Sequence, residues 1–468
     1  MSKLNRRRGA KWVTQQRTHR ALQVMSIHGE RIKKVQKRMQ PDSLLLLPAA
    51  PAQLRNRDTH FPYRAHSDII YLTGVNEEEL ALAITPEAVH FFAQTRDPER
   101  ERWVGPVKGH EFLQQQLSAE GLDVVAHDNK EFTQSCGEML KGRRVLYFDF
   151  GQYADFDRQL FKTLHELISY SRRGTLGPRT VIRASELLHE CRLIKDEFDL
   201  VHMRRAAEIS AAAHNRAREF ILSATGEVSE ARIKAIIEHE FMAAGADRLA
   251  YPSIVAAGAN ATVLHYEGSG AVAGQGDFIL IDAGCEVHGY ASDITRTTLL
   301  GGKGGELKSE LYALVLEAQH SAIRNARSGA SVDDVHMSAV KILAAGLLEL
   351  KLFDKVPERP KKDGSTAEKY VKVTSLDEVL EKEYYNLFYM HRTSHYLGLD
   401  VHDVGDYFID GKSRVLEPGM VITVEPGLYF PPEYDFLDPQ FRGIGIRIED
   451  DVLITSGENE VLTRSCLS

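Results

Sequence analysis

The sequence predicts an α/β (α+β) protein of two domains, a mixed-sheet domain followed by a larger one in which helices and then strands occur twice. Three observations carry this. The chain has 468 residues, more than one ordinary hydrophobic core accommodates. From about Asp42 to Arg192, short apolar runs alternate with helix-like stretches, the pattern of a mixed sheet with helices packed on it. Beyond Leu193 the order is helical, strand-like, helical, strand-like, and each strand-like block carries one pair of acidic residues. This repeated order suggests a pseudo-twofold domain, although no sequence identity between its halves is visible.

The predicted boundaries are a basic N-terminal extension over 1–38, a first domain over 39–192 and a second over 193–468. The extension holds twelve Lys/Arg and one acid, Glu30, in a chain whose net charge is −8. An exposed basic helix or arm is the plainest reading. An Arg-rich, acid-poor transit peptide is a second, giving an organellar alternative to a cytoplasmic location. No recognition motif follows it, so no nucleic-acid partner is predicted. No apolar stretch follows Arg6-Arg7-Arg8, which argues against a secretory signal. No apolar run is long enough to span a bilayer, so no membrane partner is predicted. The four cysteines, Cys136, Cys191, Cys285 and Cys466, are widely separated and form no CxxC, as suits a reducing compartment.

In the first domain the predicted strands are Ser43–Leu47, Ile69–Thr73, Leu80–Ile84, Val89–Ala93 and Val145–Phe150. The run Leu44 to Pro51 reads as a buried strand near the domain start, and Tyr170 to Pro178 as a loop-rich stretch. A long helix starts after Asp196, an N-cap with Asp199 three residues on. A second follows Ser229, with Ile233, Ile236, Ile237 and Phe241 on one face and Gly245 ending it. Strand-like segments run from Tyr251 to Leu300. Helical patterns cover Leu307 to Arg327 and Val332 to Leu350, and strands are predicted from Phe388 to Ile454. Val356 to Ser365 reads as a surface insertion.

The acidic pairs are the most informative feature. Asp282 ends Phe278-Ile-Leu-Ile-Asp, and Asp293 lies in Ser292-Asp-Ile-Thr-Arg-Thr297. Their midpoint is Val287/His288, between Gly284 and Gly289, where a turn is predicted. A hairpin folded there sets the two carboxylates directly opposite, with Cβ atoms about 4.5–5.5 Å apart. Glu425, in Val424-Glu-Pro-Gly427, pairs likewise with Glu449, in Gly445-Ile-Arg-Ile-Glu449, about a midpoint at Leu437. Carboxylates so placed repel one another unless cations sit between them. Between the pairs lies Met390-His-Arg-Thr-Ser-His-Tyr-Leu-Gly-Leu-Asp-Val-His-Asp403, with His391, His395 and His402; His265 lies earlier. A lone histidine is more often structural than a ligand, and a lone strand-end aspartate more often a turn residue. The joint pattern is harder to explain that way.

In this order, Ile-Asp-Ala-Gly, Ser-Asp-Ile-Thr-Arg-Thr, Ser-His-Tyr-Leu-Gly-Leu-Asp-Val-His-Asp-Val-Gly, Val-Glu-Pro-Gly-Leu-Tyr and Gly-Ile-Arg-Ile-Glu-Asp, the segments resemble the pita-bread metallopeptidases, and most closely the aminopeptidase P (Xaa-Pro aminopeptidase) family. The resemblance covers about Leu193 to Thr463, and Phe61 to Gly74 is similar to that family's N-terminal domain. It implies a creatinase/aminopeptidase P-like first domain and a pita-bread catalytic domain. It implies that Asp282, Asp293, His395, Glu425 and Glu449 ligate two divalent metals, with Asp293 and Glu449 bridging them. It implies substrate-positioning or intermediate-stabilising roles for His265, His391 and His402, and supporting or substrate-binding roles for Arg447, Tyr251 and Tyr429. Four carboxylates and an imidazole form a hard donor set that favours Mn²⁺, with Co²⁺ or Fe²⁺ as alternatives. A hydroxide bridging the two metals is the implied nucleophile, and Glu425 the implied proton shuttle.

The implied reaction is hydrolysis of the bond between an N-terminal residue and a penultimate proline. The implied partners are peptides with proline at position 2 and further copies of the chain in a homodimer or homotetramer. Arg392, Thr393 and Tyr396 stand where some relatives have Gly, Leu and Trp, which bears on pocket shape. Prolidase, cleaving only Xaa-Pro dipeptides, is the alternative with the same fold and metals. A non-catalytic binding protein on this fold is the alternative of another class, and retention of all five ligand positions argues against it. A methionine aminopeptidase fits less well, because of the large first domain and the His395 to His402 segment.

Overall fold

A computed structural model describes residues 27–119, 121–169, 174, 176–358 and 369–467. The chain forms two compact units that divide between Arg192 and Leu193.

The first unit is built on a six-stranded mixed sheet. Its order is Val124–Asp128, Val89–Ala93, Ala81–Ile84, Ser43–Leu47, Val145–Tyr147, Thr180–Ile182. Ser43–Leu47 runs antiparallel to Ala81–Ile84 and parallel to Val145–Tyr147, so it is the central strand. All five of its residues are buried. Short apolar runs covered on both faces behave this way.

Three sequence expectations change here. Ile69–Thr73 is not a strand but part of the helix Ser67–Thr73, started by the His66 side chain accepting from the Asp68 amide and ended by left-handed Gly74. Short apolar runs fit a buried helix as well as a strand, and here the caps decide. Residues 27–38 are helical, as one form of the basic-extension reading has it, but the helix is packed rather than exposed. Ile32 and Val35 are fully buried, and the Arg31 guanidinium lies 4.2 Å from the Tyr71 ring centre while donating to the Tyr71 carbonyl. The rest of the basic extension, 1–26, lies outside the described residues. Finally, Val124–Asp128 and Thr180–Ile182 are strands that the sequence pattern did not single out. Of the loop predicted over 170–178, only 174 and 176–178 are described.

The second unit repeats one arrangement. In its first half, helices Glu197–Ser223 and Glu230–Ala243 cover strands Ile254–Ala257, Phe278–Asp282 and Thr295–Leu299. In its second half, helices Glu306–Asn325 and Val332–Glu349 cover Val421–Val424, Gly427–Phe430, Ile444–Arg447 and Asp450–Leu453. The long helix begins as its sequence indicates: the Asp196 carboxylate accepts from the Asp199 amide and Asp199 reciprocates. Gly245, at φ 87°, lies one residue past the cap of the second helix.

Strand alternation then decides where the acids point. Ile279 and Ile281 pack with the first helix pair, so Asp282 belongs to the opposite face. Ile422 and Val424, and likewise Ile444, Ile446 and Ile448, pack with the second pair, so Glu425, Arg447 and Glu449 point away from it.

Strand structure does not extend over all of Phe388 to Ile454. Residues 388–406 are irregular, and the first of the four strands named above for this half starts at Val421. Thr393 to Leu397 nevertheless runs along that strand's edge. Glu425 N donates to Thr393 O, Thr423 N to His395 O, and Leu397 N to Val421 O. That seam sets His395 beside Glu425. Val356–Pro357 pairs with Tyr370–Val371 at the base of the predicted insertion; residues 359–368 lie outside the described residues.

Candidate metal centre and active site

The two acidic pairs are built by different registers. In the second half, Val424 opposes Asp450 and Gly427 opposes Arg447, so one register runs through Glu425 and Glu449 and sets them opposite each other about Leu437. In the first half the turn falls one residue later than the midpoint of the acids. Val287 opposes Tyr290 across His288 (φ 51°) and Gly289 (φ 84°), a two-residue turn of the left-handed kind favoured in hairpins. Asp282 therefore opposes Thr295, not Asp293. A shift of two residues keeps the same face, so Asp293 sits diagonally across from Asp282 and still shares its environment. The Tyr251 hydroxyl joins them, donating to Asp282 Oδ1 at 2.7 Å and contacting Asp293 Oδ1.

Asp293, His395 and Glu449 offer ligand atoms that all lie within 4.8 Å of one another. His395 Nε2 lies 3.4 Å from Asp293 Oδ2 and 3.8 Å from Glu425 Oε1. Asp282 Oδ2 accepts from Arg447 Nη2 at 2.6 Å. All five predicted ligands line one cavity of 880 Å³, together with His265, His391, His402 and Arg447. Tyr251 and Tyr429 do not line it. Tyr429 is fully buried behind His391.

The electrostatics is that of a site short of positive charge. Burial, and then repulsion from Asp293, Glu425 and Asp282, holds the Glu449 carboxyl well above the usual carboxylate range. Glu425 is raised by burial and by Asp293 and Asp282, and Asp282 by burial despite Arg447. Burial opposes a charge on His395, yet its contact with Asp293 and the fields of Glu425 and Asp293 raise it to about 9. Arg447 stays charged: burial works against it, and Tyr429, Asp282, Glu449 and Glu425 together outweigh that. Arg447 and a protonated His395 together cannot neutralise four inward carboxylates. Divalent cations fit this hard, oxygen-rich set with a single imidazole and no thiolate.

A second network fixes the histidines. Arg447 Nη1 donates to the Tyr429 hydroxyl at 3.0 Å, so that hydroxyl gives its proton to His391 Nε2 at 2.8 Å. His391 Nδ1 therefore carries the ring proton and donates to the Arg392 carbonyl at 2.8 Å, with Glu425 Oε2 3.8 Å away. Burial, reinforced by Arg447, lowers His391 to about 3. His402 packs edge-on against His395 with ring centres 4.5 Å apart, and burial followed by His395 lowers it. His265 is exposed within the cavity. Arg392 also lines it, ion-paired with Asp333.

Sequence reasoning passed over several supports. Thr295 Oγ1 donates to Glu449 Oε2 at 2.6 Å and accepts from Arg447 Nε, and Asp451 accepts from the Asp293 amide. Thr393 Oγ1 meets both His336 Nδ1 at 2.8 Å and the Tyr389 hydroxyl at 2.6 Å. Thr295 could have been read from the hairpin register once the turn was placed at His288-Gly289. Apart from Tyr389 on Thr393, four residues apart, the others depend on segments far apart in the chain.

Fold and site together define a metallopeptidase. The model of metallopeptidase family M24 matches residues 201–456, and that of the aminopeptidase P N-terminal domain matches 28–147. The chain is 38% identical to the Xaa-Pro aminopeptidase of Escherichia coli over 91% of its own length and 92% of that protein's. It superposes on Pseudomonas aeruginosa aminopeptidase PepP with a TM-score of 0.85 at 39% identity, covering 94% of this chain and 95% of that one. The zinc-substituted E. coli aminopeptidase P in complex with product gives the same TM-score at 38% identity, over 95% and 96%. The chain belongs to family M24, in its aminopeptidase P branch.

Proposed function

We propose that this chain is a dinuclear-metal aminopeptidase that hydrolyses the bond between an N-terminal residue and a penultimate proline. The observation that carries the reading is the convergence of Asp282, Asp293, His395, Glu425 and Glu449 on one cavity, with donor atoms of three of them within 4.8 Å. These five residues would hold two divalent ions, with Mn²⁺ favoured by the donor set and Co²⁺ or Fe²⁺ as alternatives. Such ions supply a water nucleophile that ionises near neutral pH and a positive field for the scissile carbonyl.

The chain's own groups do the rest. Glu425 accepts the nucleophile's proton and returns it to the leaving nitrogen, which lacks an N–H of its own in an Xaa-Pro bond. His391, neutral and held in one tautomer by Tyr429 and the Arg392 carbonyl, presents a fixed face beside Glu425. Tyr429 and Tyr251 act from behind the cavity wall, orienting His391 and linking Asp282 to Asp293. His265 and His402 line the same cavity, and their role in this reading is to position the substrate and stabilise the intermediate.

The test is a panel of Xaa-Pro-Xaa, Xaa-Ala-Xaa and Xaa-Pro substrates with protein loaded separately with Mn²⁺, Co²⁺, Fe²⁺ and Zn²⁺. Release of the first residue from the first class and not the second supports the reading. Absence of release by folded, metal-replete protein rejects it, and cleavage restricted to dipeptides makes the protein a prolidase. A homodimer or homotetramer and a cytoplasmic location belong to the same reading; four buried, unpaired cysteines support the latter. Among the described residues no helix is long and apolar enough to cross a membrane.

A further inference from the structure

We propose that Glu230 is a positioning residue for His265, holding in place the loop that carries it into the cavity. Glu230 is the first residue of helix Glu230–Ala243 and is fully buried. Its carboxylate gathers four donors. Oε1 accepts from the Ala257 amide and Asn260 Nδ2, each at 2.9 Å, and Oε2 from the Tyr266 hydroxyl at 3.1 Å and the Ala271 amide at 3.0 Å. Ala257 and Ala271 bracket the segment that contains Leu264 and His265, so one carboxylate ties both ends of that loop. Tyr266, the residue after His265, is tied to the same point. Asn260 Nδ2 also donates to the Tyr266 hydroxyl at 3.0 Å, leaving that hydroxyl to give its proton to Glu230.

His265 needs this because its ring makes no hydrogen bond among the described residues, while it is exposed and lines the cavity. His391, His395 and His336 each have a bond to the ring. The aim of His265 therefore comes from its backbone, and its backbone from Glu230. The carboxylate chemistry is specific. Two oxygens each take two donors, and an amide in its place would set an NH₂ against an N–H on one side. The inference rests on the reading that His265 serves hydrolysis of the Xaa-Pro bond.

The experiment compares Glu230→Gln with the unsubstituted enzyme in two respects. Amide hydrogen exchange over 257–271, measured without substrate or metal, quickens in the variant and stays unchanged over the strands bearing Asp282 and Glu449. In the metal-loaded enzyme, kcat/KM for an Xaa-Pro-Xaa peptide falls roughly ten- to a hundredfold. The same substitution made in a His265→Ala background lowers it by less than about twofold, since a positioning residue has nothing left to position. An equal loss in both backgrounds, or unchanged exchange over 257–271, overturns the proposal. Should Glu230→Gln not fold, Tyr266→Phe removes one of the four donors and gives a smaller loss with the same dependence on His265; an equal loss with and without His265 overturns it. An enzyme inactive on every Xaa-Pro peptide would instead sink the functional reading, with the exchange data still deciding whether Glu230 holds the loop.

Discussion

The two hairpins of the catalytic unit solve one problem in two ways. The second sets Glu425 directly opposite Glu449, with one register continuing on both sides of the pair and a long connection over 431–443. The first is closed by a tight His288-Gly289 turn, and its two acids are offset diagonally. The offset is compensated by side chains: Tyr251 links the two carboxylates, and Arg447, from the other hairpin, binds Asp282. What is shared is the face, not the pairing. A two-residue shift leaves every side chain on its side of the sheet, whereas a one-residue shift would turn the acids into the helices.

The largest expected effect comes from removing a residue shared by both hairpins. Glu449→Ala takes away a carboxylate that meets Thr295 from the first hairpin and lies in the donor cluster with Asp293 and His395. Activity should fall by on the order of a thousandfold or more, with bound metal measurably reduced. Full metal occupancy and activity would show that the halves hold their ions independently.

Next is Gly284→Ala. A Cβ there would lie 1.8 Å from the Ser292 carbonyl oxygen, backbone against backbone, where the first hairpin passes from its long ladder to its short one. We expect a loss of at least about 3 kcal/mol in chemical denaturation. In the second hairpin, a Cβ on Gly427 meets the Tyr429 hydroxyl at 2.6 Å and the Ile446 carbonyl at 2.8 Å. Gly427→Ala should therefore disturb His391 through Tyr429, and lower kcat more than stability. Equal stability losses would remove this contrast.

Each half also buries one neutral histidine. Burial lowers His214, which donates to the Ala283 carbonyl, to about 4, and lowers His336, beside Thr393, to about 4. Their ordinary value is near 6.5. At these two rings the unfolded chain binds more protons than the folded one between pH 6.5 and 4, so their contribution to stability falls as pH drops through that window and levels off below it. The limit is about 3 kcal/mol for each ring. Urea titrations of His214→Gln and His336→Gln should each flatten part of this slope. A slope unchanged in both variants would place the acid sensitivity elsewhere.

The smallest effect is at the turn itself. Gly289→Ala forces a Cβ into left-handed backbone at φ 84° and should cost about 1 kcal/mol. A cost near zero would mean the turn does not set the register of the first hairpin.

Several of these features are legible in the amino-acid sequence alone. The capping pair Asp196 and Asp199, the helix after Ser229 and the central strand Ser43–Leu47 are local, written in caps and in apolar runs of a single period. The same holds for the Glu425/Glu449 pairing, because equal spacing about Leu437 survives in a hairpin without a bulge. Ile69–Thr73 misleads because a short apolar run has no period of its own, and the decision rests on His66 and Gly74 at its ends. The first hairpin misleads by one residue in its turn because both Gly284 and Gly289 could start one.

The chain itself carries the candidate residues: which carboxylates, which histidines, their order and, through alternation along the strands, their common face. Their partners came only with the packing of the folded molecule. Arg447 on Asp282, Tyr429 on His391, Asp451 under Asp293 and Glu230 on Ala257 beneath the His265 loop join positions 27 to 165 residues apart. Strand periodicity is a property of neighbours along the chain, while hydrogen bonds to buried charges are made across whatever the packing of the two halves brings together.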